Sequence, residues 1–215
     1  DQPARRLSET ARFIAETAKR GGLRRFSPGF KATIRARWLH ARLRDLLLNS
    51  GWWSLSAWGM PINQVYLTGT NALFGGFFVR GVRQLGMRVT EAEAEDVLSL
   101  WRYGGHIMGV VPDLCVSSES DAQTMYDLID SVQQPPDSDA VELVRALFET
   151  PRSMATNAAQ RALARFAVPL LYSVSRHLVG ETTANALGYP PSNGWSLSVP
   201  VIRASIGTLS SPPWQ

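Results

Sequence analysis

Residues 31–49 read KATIRARWLHARLRDLLLN, and this stretch decides the fold class. Ile34, Trp38, Ala41 and Leu48, with Leu39, Leu43, Leu46 and Leu47 beside them, recur at three- and four-residue intervals and give a helix with a broad apolar face. The spacing predicts a helix over 31–49, preceded by a loop holding Pro28 and Gly29 and closed by Gly51. Upstream, Leu7, Ala11, Ile14 and Ala18 set an amphipathic helix over about 3–20, stopped by Gly21 and Gly22. Downstream, a Trp-rich loop from Trp52 to Trp58 leads to a helix opening at Pro61 and running through Gln64, Leu67, Leu73 and Phe77 to about Leu85.

The rest of the chain keeps the helical period. Thr90 with Glu93 forms a capping box ahead of Val97, Leu98, Trp101 and His106. Ser118 and Asp121 open another helix, broken by Pro135-Pro136; two more follow over about 140–149 and 157–178, the second carrying Pro169. A Pro-rich tail from Tyr189 onward holds one short helix near 201–209. No strand alternation and no fixed-period repeat compete with this pattern. The expectation is an all-α chain, a single domain over 1–215. Gly69, Gly75, Gly76 and Gly81 in the third helix point to a close approach, either by another helix or by a flat ligand.

Composition narrows the chemistry. The chain has 215 residues, 45% of them hydrophobic, which suffices for a packed core. One cysteine, Cys115, excludes an internal disulfide and a Cys-based zinc cluster. Three histidines, His40, His106 and His177, leave little for a multi-histidine centre, so any metal chemistry favours a cofactor that brings most of its own ligands, as haem does. The chain holds no run of 18 apolar residues, the length needed to cross a bilayer. The chain opens at Asp1 rather than Met, so a start upstream is expected, and compartment and oligomeric state stay open. Residues 1–50 carry +8 and the remainder −4. The basic half lacks aromatic stacking platforms and a nucleic-acid motif, which favours an anionic small ligand over nucleic acid; peripheral contact with a membrane surface is a further reading.

Arg37, His40 and Arg44 are three and four residues apart and share one helical face. Cationic neighbours disfavour a protonated imidazole, and the neutral form is the one that ligates metal. Arginines one turn to either side suit two carboxylates of a cofactor. A hydrogen-bonded core histidine beside solvated arginines is the alternative. His106, behind Gly104 and Gly105, is read either as a second cofactor contact or as a packed histidine, and His177 as a partner of a helix C-terminus.

Three ordered motifs, Arg6-x-x-x-Thr10-x-x-Phe13-Ile14, Arg37-Trp38-Leu39-His40-Ala41-x-x-Arg44, and Trp58-Gly59-x-Pro61-Ile62-Asn63-Gln64 leading to Thr70, resemble the rubber oxygenase (latex-clearing protein) family. That family also includes the endoplasmic-reticulum oxygenase of mycophenolic acid biosynthesis. The block from Leu100-Trp101-Arg102-Tyr103 to Gly109-Val110 looks like its next helix. The resemblance covers about residues 5–115. It implies a globin-like helical core with additional C-terminal helices, holding haem b. It also implies use of O2 to cleave carbon–carbon double bonds in an apolar, polyprenoid substrate. By the same resemblance His40 is the iron ligand, Arg37 and Arg44 face the haem propionates, and Asn63 and Gln64 join the cofactor site. Arg6 and Thr10 lie on the oxygen side, and Thr70 is the threonine after Asn-Gln, with Thr68 the other candidate.

Two departures stand out. Rubber-cleaving members carry a lysine before the distal threonine where this chain has Glu9, a candidate base. Their proposed catalytic glutamate would fall upstream of Asp1. The substrate channel is expected to involve Phe74, Phe77, Phe78 and Trp101. A non-catalytic haem- or lipid-binding helical module is the second reading.

Overall fold

The computed structural model describes residues 2–191 and 198–209; the parts of the Pro-rich tail at 192–197 and 210–215 lie outside the described residues, as do the side chains of residues 2–4, 7, 198 and 207–209. All regular structure among the described residues is helical. The helices are α1 (Gln2–Ala18), α2 (Pro28–Leu48), α3 (Leu55–Trp58), α4 (Gln64–Ala72), α5 (Phe78–Gln84), α6 (Glu91–Met108), α7 (Glu119–Val132), α8 (Ser138–Phe148), α9 (Thr150–Ser153), α10 (Ala158–Val179), α11 (Glu181–Ala186) and α12 (Ser198–Leu209). A π-helical turn, Leu73–Phe77, joins α4 to α5.

Local chemistry explains most boundaries. Ser27 caps α2 by accepting from the Phe30 amide, with Pro28 in the first turn, so Pro28 and Gly29 open the helix instead of forming the loop expected before it. Pro61 is likewise outside its expected helix, because Asn63 is the residue that caps α4 through the Tyr66 amide, at 3.0 Å. The capping box at Thr90 and Glu93 is complete. Its two hydrogen bonds hold the Glu93 carboxyl below its ordinary value. The short helices α3, α9 and α11 were not foreseen; four to six residues carry too little periodicity to register.

The chain divides into two compact units. One comprises residues 10–80 and 90–133. In it α2 packs on α6, and α4 and the π turn pack on α6 and α7 around Ala72, Leu98, Val116 and Ala122. A Cβ on Gly76 would collide with the Ala122 side chain, and one on Gly69 with the end of Ile129. The two glycines therefore serve helix–helix approach, the first of the two readings offered above. The other unit comprises residues 1–9, 81–89 and 134–215, where α10 contacts α8, α9, α11 and α12. At its centre Arg176, only 7% exposed, binds Glu181, Asn185 and the carbonyls of Tyr189 and Pro190.

Candidate functional site

The apolar face expected on α2 is not the one that packs inward: Ile34, Trp38, Leu39, Leu43, Leu46 and Leu48 are all exposed. Thr33, Ala36, His40, Arg44 and Leu47, at spacings of 3, 4, 4 and 3, turn inward, while Arg35, Trp38, Arg42 and Leu46 are exposed. His40 is thereby delivered to a cavity of about 310 Å³. Across it, α4 and the π turn present Tyr66, Thr70, Asn71 and Phe74, and α6 presents Trp101, Gly104 and Gly105. Phe74 stacks on Trp101 with centroids 4.8 Å apart and 24° between planes, giving the cavity a flat apolar wall. Asn71 donates from Nδ2 to the Trp101 carbonyl at 2.8 Å, and only a glycine at 105 leaves room for that amide. The volume falls within the range of small-molecule sites.

His40 is the anomaly in this lining. Its Nδ1 is buried and has no hydrogen-bond partner, a condition that costs on the order of 1–3 kcal/mol for a buried polar group. Burial, and secondarily the Arg44 guanidinium, push its pKa below 6.5. Both effects favour the neutral imidazole, the form in which it can ligate metal. Among the described residues no cluster of three or more His, Cys, Asp or Glu side chains could hold a metal ion without help. His40 therefore fits a ligand that brings its other donors with it.

Neither flanking arginine lines the cavity, and Arg37 is exposed, off the inward face that carries His40 and Arg44; both instead tie α2 to neighbouring backbone. Arg37 donates from Nη1 to the Ile107 carbonyl at 3.1 Å, near the end of α6. Arg44 donates from Nε to the Pro61 carbonyl at 3.1 Å and from Nη2 to the Ile62 carbonyl at 2.6 Å. An arginine has five N–H donors, so each retains capacity for a further anion. Gln64 bridges the other end: Nε2 donates to the Gly109 carbonyl at 2.9 Å and Oε1 accepts from the Val111 amide at 3.1 Å. Between these ties, Ile62 adopts φ 51° and lines the cavity. For a β-branched residue this left-handed conformation costs roughly 1–2 kcal/mol.

The expected site residues are distributed as follows. His40 and Thr70 line the cavity, and Thr70 donates to the Tyr66 carbonyl at 2.8 Å. Asn63 and Gln64 hold the start of α4. Thr68 is buried, with its hydroxyl unpartnered, away from the cavity lining. Thr10 is exposed and outside the lining. Arg6 and Glu9 belong to the other compact unit; Arg6 is exposed, and Glu9 pairs with Arg5 at 3.0 Å. Phe74 and Trp101 line the cavity as expected, but Phe77 packs against Tyr126 and Phe78 is 56% exposed, because the π turn rotates both away. His106 is exposed and outside the lining as well, one position round the helix from Gly105. His177 lies in the last turn of α10. Asn71 and Ile62 were not singled out from the sequence. Asn71 follows Leu67 at four residues and precedes Phe74 at three, a spacing that could have placed it on the same face.

Residues 1–208 match the family described as ER-bound oxygenase mpaB/B'/rubber oxygenase, catalytic domain. Over 79 residues the sequence is 35% identical to the rubber oxygenase of Streptomyces sp. strain K30, covering 36% of this chain and 19% of that protein. The solved structure of latex clearing protein LCP in the closed state aligns with a TM-score of 0.79 at 20% identity, over 99% of this chain and 57% of that one. The chain thus spans little more than half of the solved relative. That likeness bears on fold and agrees with the helical architecture expected from the motifs. With the match extending over 208 residues, the chain belongs to the mpaB/rubber oxygenase catalytic-domain family.

Proposed function

We propose that this chain forms the haem-binding core of an oxygenase acting on an apolar, isoprenoid-like substrate, with His40 as the iron ligand. The observation that carries this reading is a half-buried imidazole, biased toward its neutral form, whose Nδ1 has no partner, set in an otherwise largely apolar cavity. Haem b, when bound, would supply the iron at which O2 reacts, and oxidative cleavage of a C=C bond is the chemistry the resemblance implies. The protein's part is binding, orientation and exclusion of water. The free N–H groups of Arg37 and Arg44 suit the propionates. Trp101 and Phe74 supply apolar area for a flat ligand and keep water out. Thr70, its proton committed to the Tyr66 carbonyl, keeps lone pairs for a donor. Asn63 and Gln64 act by fixing α4. Arg6, Glu9 and Thr10 are assigned to the oxygen side on the motif alone.

Haemin titration tests the assignment. The wild type should develop a strong Soret band at one equivalent, and His40→Ala should lose it; a wild type that stays without a Soret band ends the reading. O2 uptake with short polyprenoids then separates an oxygenase from a helical haem- or lipid-binding module. Glu9 in the place of the lysine carried by rubber-cleaving members favours the module.

A peripheral contact with an anionic lipid surface is compatible with either reading. No acidic residue lies between Glu16 and Asp45, a stretch that carries nine Lys and Arg and exposes Phe26 at 63% and Trp38 at 64%. Binding to vesicles containing phosphatidylserine should fall steeply as salt rises; binding that salt leaves unchanged would count against it.

A further inference from the structure

The geometry points to Ile62 as the specificity-determining residue of the His40 cavity, with Arg44 as the positioning residue that holds it there. This rests on the reading of that cavity as the ligand site. Three observations converge. Ile62 is a β-branched residue at φ 51°, a conformation seldom retained unless its surroundings enforce it. The enforcing contact is visible: Arg44 grips the carbonyls of Pro61 and Ile62 with two charge-assisted hydrogen bonds. Ile62, so held, lines the cavity that also receives His40, one helical turn before Arg44.

The neighbours leave Ile62 little freedom to relax. Pro61 is buried with its φ restricted by its ring, and Asn63 is committed to capping α4. Rotation of the 61–62 peptide out of this conformation would release both carbonyls from Arg44 and withdraw the isoleucine from the cavity. The strained residue thus works as a latched wall that limits the width of an apolar ligand beside the imidazole.

The test uses two apolar probes of different width, ANS and bis-ANS, and counts only the fluorescence that haemin displaces. Ile62→Gly removes the side chain and suits a positive φ, so it should keep or raise the thermal midpoint. It should shift relative affinity toward bis-ANS by about tenfold, the scale on which hydrophobic pockets discriminate by size. Arg44→Lys keeps the charge but loses the two-point grip; it should shift the ratio the same way while lowering the midpoint. The double variant should shift the ratio no further than Ile62→Gly alone, because both substitutions remove one wall.

A ratio within about twofold of wild type in Ile62→Gly overturns the proposal, as do shifts that simply multiply in the double variant. Soret titrations of wild type and His40→Ala run in parallel. If haemin binding depends on His40 while the probe ratio stays fixed, Ile62 loses its role and the site reading stands. If the wild type binds neither haemin nor displaceable probe, both fall.

Discussion

His40 and Arg176 are two polar side chains withdrawn from water in different units of the molecule, and they are treated in opposite ways. Arg176 spends its guanidinium on Glu181, Asn185 and two backbone carbonyls, and its Cζ lies 6.0 Å from the centre of the Tyr189 ring. His40 leaves Nδ1 without a partner and sits beside open volume. A buried polar group with every bond made stabilises and specifies its surroundings. One left incomplete beside a cavity lowers stability. The contrast is one of hydrogen-bond completeness: the network at Arg176 is filled, and that at His40 is not.

Substitutions can break or sharpen it. The largest stability effect is expected at Arg176. Arg176→Ala strands the Tyr189 and Pro190 carbonyls and should cost about 3 kcal/mol in denaturant unfolding, with the Soret titration unchanged. The Glu181 end of the network contributes little of this, because that carboxylate is 69% exposed. A loss below about 1 kcal/mol would dissolve the contrast.

His40→Leu should act in reverse, abolishing haemin binding while leaving stability equal to wild type or up to about 1 kcal/mol higher. A smaller, pH-dependent effect accompanies it. The folded pKa of His40 is lowered below 6.5, so the unfolded chain binds the proton more readily. Stability therefore rises with pH from the folded pKa up to about 6.5 and is reduced below that window. In His40→Leu this slope should flatten just below about pH 6.5; an unchanged slope would place its origin elsewhere.

Legibility in the sequence followed the range of the interactions. The capping box at Thr90 and the Ser118 cap are products of contacts within four residues, and both are readable from spacing. The buried face of α2 is not: its large apolar side chains, Trp38 and Leu46 among them, are exposed, and Thr33, Ala36, His40 and Arg44 turn inward instead. The π turn was not readable either, since Gly75 and Gly76 signal a close approach and not a change of helical register; that change separated Phe74, which lines the cavity, from Phe77 and Phe78, which do not. Arg37 and Arg44 were read as partners for an anion. Their contacts with the carbonyls of Ile107, Pro61 and Ile62 join segments 17 to 70 residues apart, which no local pattern encodes.

The amino-acid order by itself determined the helical class and most helix starts, because helix formation and capping are settled among near neighbours. Only tertiary packing decided that the imidazole would meet a cavity with Nδ1 unpaired, and that Ile62 would be held left-handed against it. Both depend on where α6 and the 61–62 segment come to rest against α2, and that is a balance of long-range burial and hydrogen bonding.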